Sequence, residues 1–187
     1  MNGPDTPALT SAAPGPFLSD VYALRERARA HIEQGPVTDD YPLEPQRAVA
    51  VLNIALATEL VCVLRYRLHY FMAEGMQAGS VAAEFLEHSN EELSHADMLA
   101  RRIVQLGGEP NFAPDTLSAQ SHAEYVRATS LRDMIRENLI AERIAVESYR
   151  EMIVYFGEDD PVTRRMLEDI LATEEKHADE LRSLIAQ

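Results

Sequence analysis

The chain has 187 residues, enough for one domain with a sizeable hydrophobic core, and its formal net charge is −14. That charge argues against a protein that binds nucleic-acid phosphates, because such sites need clustered Lys and Arg, and Lys176 is the only lysine. With Cys62 as the only cysteine, an intramolecular disulfide is excluded and a reducing compartment is favoured.

The N-terminus has neither the basic start nor the apolar core of a signal peptide. The most apolar run, residues 48–64, is short for a membrane span and contains Asn53 and Glu59. We therefore expect a cytoplasmic protein without a membrane or nucleic-acid partner.

Residues 1–18 are rich in Pro, Ala and Ser, a composition typical of a flexible tail. Residues 19–44 predict one short amphipathic helix, capped by Ser19 and ended by Gly35, and then a connector. The remaining residues, 45–187, predict one helical domain.

Two long helices are predicted in the first half of this domain. The first begins at Pro45, a residue suited to a first helical turn, and ends before Gly75. The second begins after Ser80 and ends at residues 107–108, which are both glycine. A long crossover with a short helical piece is expected to follow.

Two further long helices are predicted after the crossover. Ser130 and Asp133 have capping-box spacing at the start of the third helix, which ends at Gly157. Asp160 is the predicted cap of the fourth, with Pro161 in its first turn. Short, long and short connections between four helices indicate an all-α four-helix bundle with one long crossover, preceded by the short N-terminal helix.

Each long helix carries an apolar stripe that a glutamate interrupts near its middle. In chain order these glutamates are Glu59, Glu92, Glu142 and Glu174. Histidines, His95 and His177, follow the second and the fourth by three residues, which places them on the same helix face. At about 1.5 Å of rise per residue, all four acids reach the same level of the bundle and face inward. Solvated helix faces would explain single glutamates, but not this conjunction.

Four unpaired buried carboxylates would cost many kcal/mol. Two divalent metal ions would neutralise them, and each histidine would bind one ion as a neutral imidazole. Mixed carboxylate and imidazole ligands favour Fe(II) or Mn(II), and Zn(II) stays open. The sequence therefore predicts a dinuclear metal centre with these six residues as ligands.

Other polar residues lie close to this set. Tyr66 and Tyr149 each follow a lone core glutamate by seven residues, so they would either donate hydrogen bonds to ligating carboxylates or bond to backbone or water. His88, four residues before Glu92, is either an entry-path ligand or an ordinary histidine. Glu91 is either solvated or orients an imidazole.

Three segments carry a resemblance to a known family: "ATELVCVLRYRLHYFMAEG", "HSNEELSHADMLARRIVQLGGEPNF" and "LATEEKHADEL". They resemble the ferritin-like superfamily, and bacterioferritin-type ferritins in particular, over residues 45–187. The resemblance implies that the six residues are the ligands of a di-iron ferroxidase centre, that Glu92 and Glu174 bridge the two ions, and that Tyr66 is the tyrosine beside the site.

The chain also departs from that family. Leu93 stands where bacterioferritins have the methionine that binds haem, so haem is not expected. Only ten residues follow His177, which leaves no room for a fifth helix and resembles the Dps-like ferritins. Those that retain a bacterioferritin-type centre usually have a cysteine pair, whereas Cys62 is alone.

The resemblance implies a ferroxidase that oxidises Fe(II) with O₂ or H₂O₂ and stores Fe(III) in a homo-oligomeric shell. The alternatives are a small-molecule redox enzyme, such as a peroxidase or a manganese-catalase-like enzyme, and a non-catalytic bundle with a structural metal. For the shell interface we expect outward-facing apolar and arginine positions on the first two helices, including Arg65, Arg67, Tyr70 and Phe71.

Overall fold

The computed structural model describes residues 20–75 and 78–186. These residues form six α-helices, and one 3-10 turn, Ile32–Gln34. The helices are α1 (Val21–Arg27), α2 (Pro45–Met72), α3 (Ala78–Gln105), α4 (Pro114–Gln120), α5 (Leu131–Phe156) and α6 (Pro161–Ile185). The all-α prediction with four long helices is confirmed.

The ends of α5 and α6 follow the local sequence. Ser130 caps α5 by accepting a hydrogen bond from the backbone N–H of Asp133, and Asp160 caps α6 in the same way with Thr163. Gly157, at φ +45°, ends α5 in a conformation that favours glycine. The predicted caps of these two helices are therefore confirmed.

Helices α2 and α3 pack as one antiparallel hairpin, and α5 and α6 as another. The crossover between them begins tightly against α2, because a Cβ at Gly108 would lie 2.5 Å from Val49 Cγ1. It contains α4, which packs on α2, as expected for a short helical piece. The crossover carries the chain to the opposite end of the bundle, where Met134 of α5 shares a core cluster with Tyr66 of α2.

The core consists of two main apolar clusters with the buried acids between them. One cluster holds Leu52, Leu99 and Phe156, and the other holds Phe85 and Leu181, among further buried side chains. The apolar clusters stabilise the bundle. Burying the acids between them is unfavourable by itself, so the apolar packing holds these acids in place.

By length and composition alone, α2 could cross a membrane. Half of its most apolar stretch is buried within the fold, however, and its buried face includes Glu59. The core helix of a soluble bundle meets the same two criteria.

The N-terminal helix is shorter than predicted. Helix α1 spans only seven residues, and Asp20, not the predicted Ser19, caps it within the described residues. The chain then turns through His31 at φ +48°, and Gly35 ends the 3-10 turn. No residue of α1 is buried, so this segment lacks the packed apolar face that sustains a longer helix. The predicted tail, residues 1–18, lies outside the described residues.

Candidate metal centre

The four long helices bring all six predicted site residues together at mid-bundle. Each side chain is buried, and none of the six residues is more than 6% exposed. Helix α2 supplies Glu59, α3 supplies Glu92 and His95, α5 supplies Glu142, and α6 supplies Glu174 and His177. Their role as metal ligands stays a prediction.

These side chains form two overlapping groups that could each hold a metal ion. In each group, one potential ligand atom per residue lies within 4.8 Å of all the others. The first group is Glu59, Glu92, His95 and Glu174, and the second is Glu92, Glu142, Glu174 and His177. Glu92 and Glu174 belong to both groups, which is the arrangement of two carboxylates that bridge a pair of ions.

The potential ligand atoms approach one another without forming hydrogen bonds. His95 Nδ1 lies 2.9 Å from Glu174 Oε1 and 3.4 Å from Glu59 Oε2, and His177 Nδ1 lies 3.4 Å from Glu92 Oε1. Within the described residues, the buried site atoms that lack a hydrogen-bond partner are Glu59 Oε2, Glu92 Oε1, His95 Nδ1, Glu142 Oε2, both Glu174 carboxylate oxygens and His177 Nδ1.

These unpartnered atoms fit a pair of divalent metal ions. Buried polar atoms are rarely left without partners, because each one costs about 1–3 kcal/mol. Carboxylate oxygens and imidazole nitrogens are the ligands that bind Fe(II), Mn(II) and Zn(II). The donor set therefore fits a dinuclear site.

Protons balance part of the charge when metal is absent. Burial and the neighbouring Glu59 carboxylate raise the pKa of Glu174 to about 8, and burial raises that of Glu59 well above its usual range. Burial disfavours a charged His95, but Glu174, Glu59 and Glu92 outweigh it and raise the pKa of His95 to about 12.

The protonation of Glu142 and His177, in the second ligand group, differs from that of Glu59 and Glu174. Burial opposes ionisation of Glu142, but contacts with His177 and Glu174 outweigh it and lower the Glu142 pKa to about 2. The pKa of His177 is raised, because Glu142, Glu174 and Glu92 outweigh its burial. An ionised Glu142 can only accept hydrogen bonds.

The two tyrosines bond crosswise between the helix hairpins. Tyr66 of α2 donates a hydrogen bond to Glu142 Oε1 of α5, and Tyr149 of α5 donates one to Glu59 Oε1 of α2. Each tyrosine thus holds the acid of the opposite helix. Of the two alternatives left open for these tyrosines, bonding to site carboxylates is the one observed.

Glu91 and His88 surround the second histidine. Glu91 Oε2 lies 2.6 Å from His177 Nε2, so this acid orients the imidazole, one of its two predicted roles. His88 is 1% exposed, and its ring stacks on His177 at 3.9 Å between centroids. The sequence left His88 open as an entry-path ligand or an ordinary histidine, outside the six predicted ligands. Its position on the same helix face as Glu92, four residues away, was the signal for it.

Arg65 is not the outward-facing interface residue that was expected. It is 1% exposed and donates hydrogen bonds to Asn138 Oδ1 at 2.9 Å and to the Glu124 carbonyl at 2.8 Å. These partners come from the crossover and α5, which the helix pattern of α2 alone does not reveal. Arg67 and Tyr70 are partly buried, whereas Phe71 is 76% exposed.

The four-helix domain is similar to known proteins. The family model of the ferritin-like domain matches residues 49–187. The chain belongs to the ferritin-like family. Among its relatives, the bacterioferritin of Rhodobacter capsulatus is 31% identical over 141 residues, which are 75% of this chain and 83% of that protein. The bacterioferritin of Desulfovibrio desulfuricans is 28% identical over 132 residues, 70% of each chain.

The ferritin-like chain is also similar to solved structures. It aligns with the bacterioferritin-related protein of Bacteroides fragilis, described as a dodecameric thioferritin, with a TM-score of 0.74 and 29% identity. That alignment covers 77% of this chain and 87% of the other. Dps from Thermosynechococcus elongatus shares the fold at a TM-score of 0.73 and 19% identity, over 76% and 92% of the two chains.

Proposed function

We propose that this protein is a ferroxidase that oxidises Fe(II) with O₂ or H₂O₂ and stores the Fe(III) product in a homo-oligomeric shell. One observation carries the proposal: two groups of carboxylate and imidazole ligands share Glu92 and Glu174. Membership of the ferritin-like family and similarity to bacterioferritins support iron over other cargo.

The six ligands have distinct roles in this proposal. Glu59 and His95 bind one Fe(II) substrate ion, Glu142 and His177 bind the other, and both shared carboxylates contact both ions. Four carboxylates balance the charge of two Fe(II) ions, so the loaded site needs no further counter-ion. Mn(II) or Zn(II) could occupy the same ligands, but Zn(II) has no redox chemistry and would inhibit.

The reaction needs two electrons for each oxidant molecule. Two Fe(II) ions supply them, and two protons complete the reduction of O₂ to H₂O₂ or of H₂O₂ to water. Tyr66 and Tyr149 hold two carboxylates in place throughout, and Glu91 fixes the ring of His177. No step involves haem, in keeping with Leu93 at the position beside Glu92.

The storage part of the proposal requires an enclosing assembly. The Bacteroides fragilis relative is a dodecamer, which supports a small, Dps-like shell for this chain as well. Leu64, Phe71 and Leu93 are large apolar side chains that are 44–76% exposed on α2 and α3, and an interface would bury them. We expect this assembly to work in the cytoplasm.

Stopped-flow Fe(II) oxidation tests the proposed centre. Glu92→Ala or Glu174→Ala should slow rapid oxidation by about 100-fold or more, because each removes a carboxylate shared by both ions. Glu87→Ala removes an exposed acid from the same helix, α3, and should oxidise Fe(II) like the wild type. Wild-type rates in both centre variants would refute the assignment.

A further inference from the structure

A third group of potential ligands lies outside the six-residue centre. Glu84 and His88 of α3 and Glu180 of α6 present ligand atoms that lie within 4.8 Å of one another. His88 Nε2 is 3.1 Å from Glu180 Oε2 and 3.6 Å from Glu84 Oε1. The histidine is buried, whereas the side chains of the two acids are 31% and 34% exposed, so the group connects to the protein surface.

The hydrogen bonds of His88 determine which ring nitrogen carries the proton. The single hydroxyl hydrogen of Tyr66 is donated to Glu142 Oε1. His88 Nδ1 lies 3.1 Å from the Tyr66 hydroxyl oxygen and must therefore be the donor in that contact. In a neutral imidazole, the lone pair is then on Nε2 and points at two carboxylates.

With a neutral His88, three acceptors lie together with no hydrogen between them: His88 Nε2, Glu180 Oε2 and Glu84 Oε1. A metal ion satisfies all three at once, since imidazole and carboxylate ligands share divalent transition metals. The geometry points to a third metal site, formed by Glu84, His88 and Glu180, that binds a divalent transition-metal ion at the surface. In the alternative, His88 is an imidazolium that bonds to both acids, and no metal binds there.

The charges around this site permit a cation there. Lys176 Nζ lies 3.6 Å from Glu180 Oε1 and 3.8 Å from Glu91 Oε1, so it contacts the Glu180 oxygen that does not face His88. Glu87 also acts on Lys176, and the local acids outnumber this one cation. Lys176 thus holds the Glu180 carboxylate in place and leaves Oε2 to the site.

The third site adjoins the dinuclear centre. The His88 ring stacks on His177 with an interplanar angle of 20°, so the surface ion would sit one imidazole layer away from the buried ligands. If the proposed ferroxidase function holds, this is a position where Fe(II) is bound before it enters the centre. The metal site itself does not depend on that function.

Equilibrium dialysis of the full-length protein against Co(II), without oxidant, counts the ions bound per subunit. We expect three equivalents in the wild type and two in Glu84→Gln/Glu180→Gln. The control Glu87→Gln/Glu151→Gln removes the same charge from two exposed acids outside the site and should keep three. The centre variant Glu92→Gln/Glu174→Gln should lose two equivalents and keep one.

Two results would overturn the third site. One is a wild type that binds only two equivalents, as an imidazolium at His88 requires. The other is an equal number of ions in the wild type and in Glu84→Gln/Glu180→Gln. If the centre variant instead binds as many ions as the wild type, the proposed ferroxidase centre fails while the third site stands. Circular dichroism of each variant confirms that it is folded.

Discussion

At the scale of single residues, hydrogen bonds from neighbouring side chains orient three of the six ligands of the centre. In each of these three ligands, one side-chain atom takes part in a hydrogen bond outside the centre. The other atom faces the remaining ligands and has no hydrogen-bond partner. Tyr149, Tyr66 and Glu91 engage Glu59 Oε1, Glu142 Oε1 and His177 Nε2, in that order. The ligands are thus oriented before any metal arrives, which keeps the ordering cost of binding low.

The protonation of Glu174 makes the metal-free protein sensitive to pH. Its pKa is about 8 in the folded state against an ordinary 4.5, so the folded state binds more protons between these values. His95, with a folded pKa of about 12 against 6.5, acts in the same direction above pH 6.5. The free energy of unfolding should therefore fall as the pH rises from 5.5 to 8, by at most about 1.4 kcal/mol per pH unit for each proton.

Urea unfolding of chelator-treated protein at several pH values measures this fall. Glu142 does not affect the window, because its folded pKa of about 2 makes its contribution complete above pH 4.5. Glu174→Gln should make this fall less steep than in the wild type, since the variant lacks the Glu174 proton, while His95 still contributes above pH 6.5. A midpoint that rises with pH, or an equally steep variant, would contradict the assigned protonation.

At the scale of elements, a buried polar network joins the ends of three segments. Arg102 of α3 bonds to both carboxylate oxygens of Asp160 at 3.0 and 2.9 Å, and to Thr163 Oγ1 at 2.7 Å. Tyr41 of the N-terminal connector donates to Asp160 at 2.8 Å. Asp160 was predictable as a cap from its place before Pro161, but its partner Arg102 was not, because that contact joins helices far apart in sequence.

Removing Asp160 should destabilise the bundle strongly. Asp160→Ala deletes the cap of α6 and leaves a buried guanidinium without its counter-charge, so we expect a loss of about 3 kcal/mol or more. Glu158→Ala, which removes only an exposed partner of Arg164, should cost less than about 1 kcal/mol. Thermal and urea unfolding of both variants measures the difference. Equal costs would show that the network does not stabilise the fold.

At the scale of the whole molecule, features that repeat along a single helix were predictable from the sequence. Apolar stripes and caps determined the four long helices, and glutamates within the stripes indicated the residues that meet at mid-bundle. Contacts between distant segments were less predictable. Arg65 is buried because the crossover and α5 supply its partners, and helix α1 is short because none of its residues is buried.

The assembly is a property of the whole molecule, and the exposed side chains of α2 and α3 predict it. Exposed Leu64, Phe71 and Leu93 would be unfavourable on a lone bundle and favour a closed, symmetric homo-oligomer. Size-exclusion chromatography with light scattering at micromolar concentration should give a particle of many subunits. A monomer or a simple dimer would contradict the storage function and favour a small-molecule redox enzyme.

We propose that six side chains bind a pair of metal ions between the two hairpins. Anomalous scattering from crystals of the metal-soaked protein tests it most directly, because it locates ions without reference to activity. We expect two peaks about 3.5–4 Å apart, one beside Glu59 and His95 and the other beside Glu142 and His177, with Glu92 and Glu174 reaching both. Crystals that show no metal within reach of Glu59 and Glu142 would contradict it.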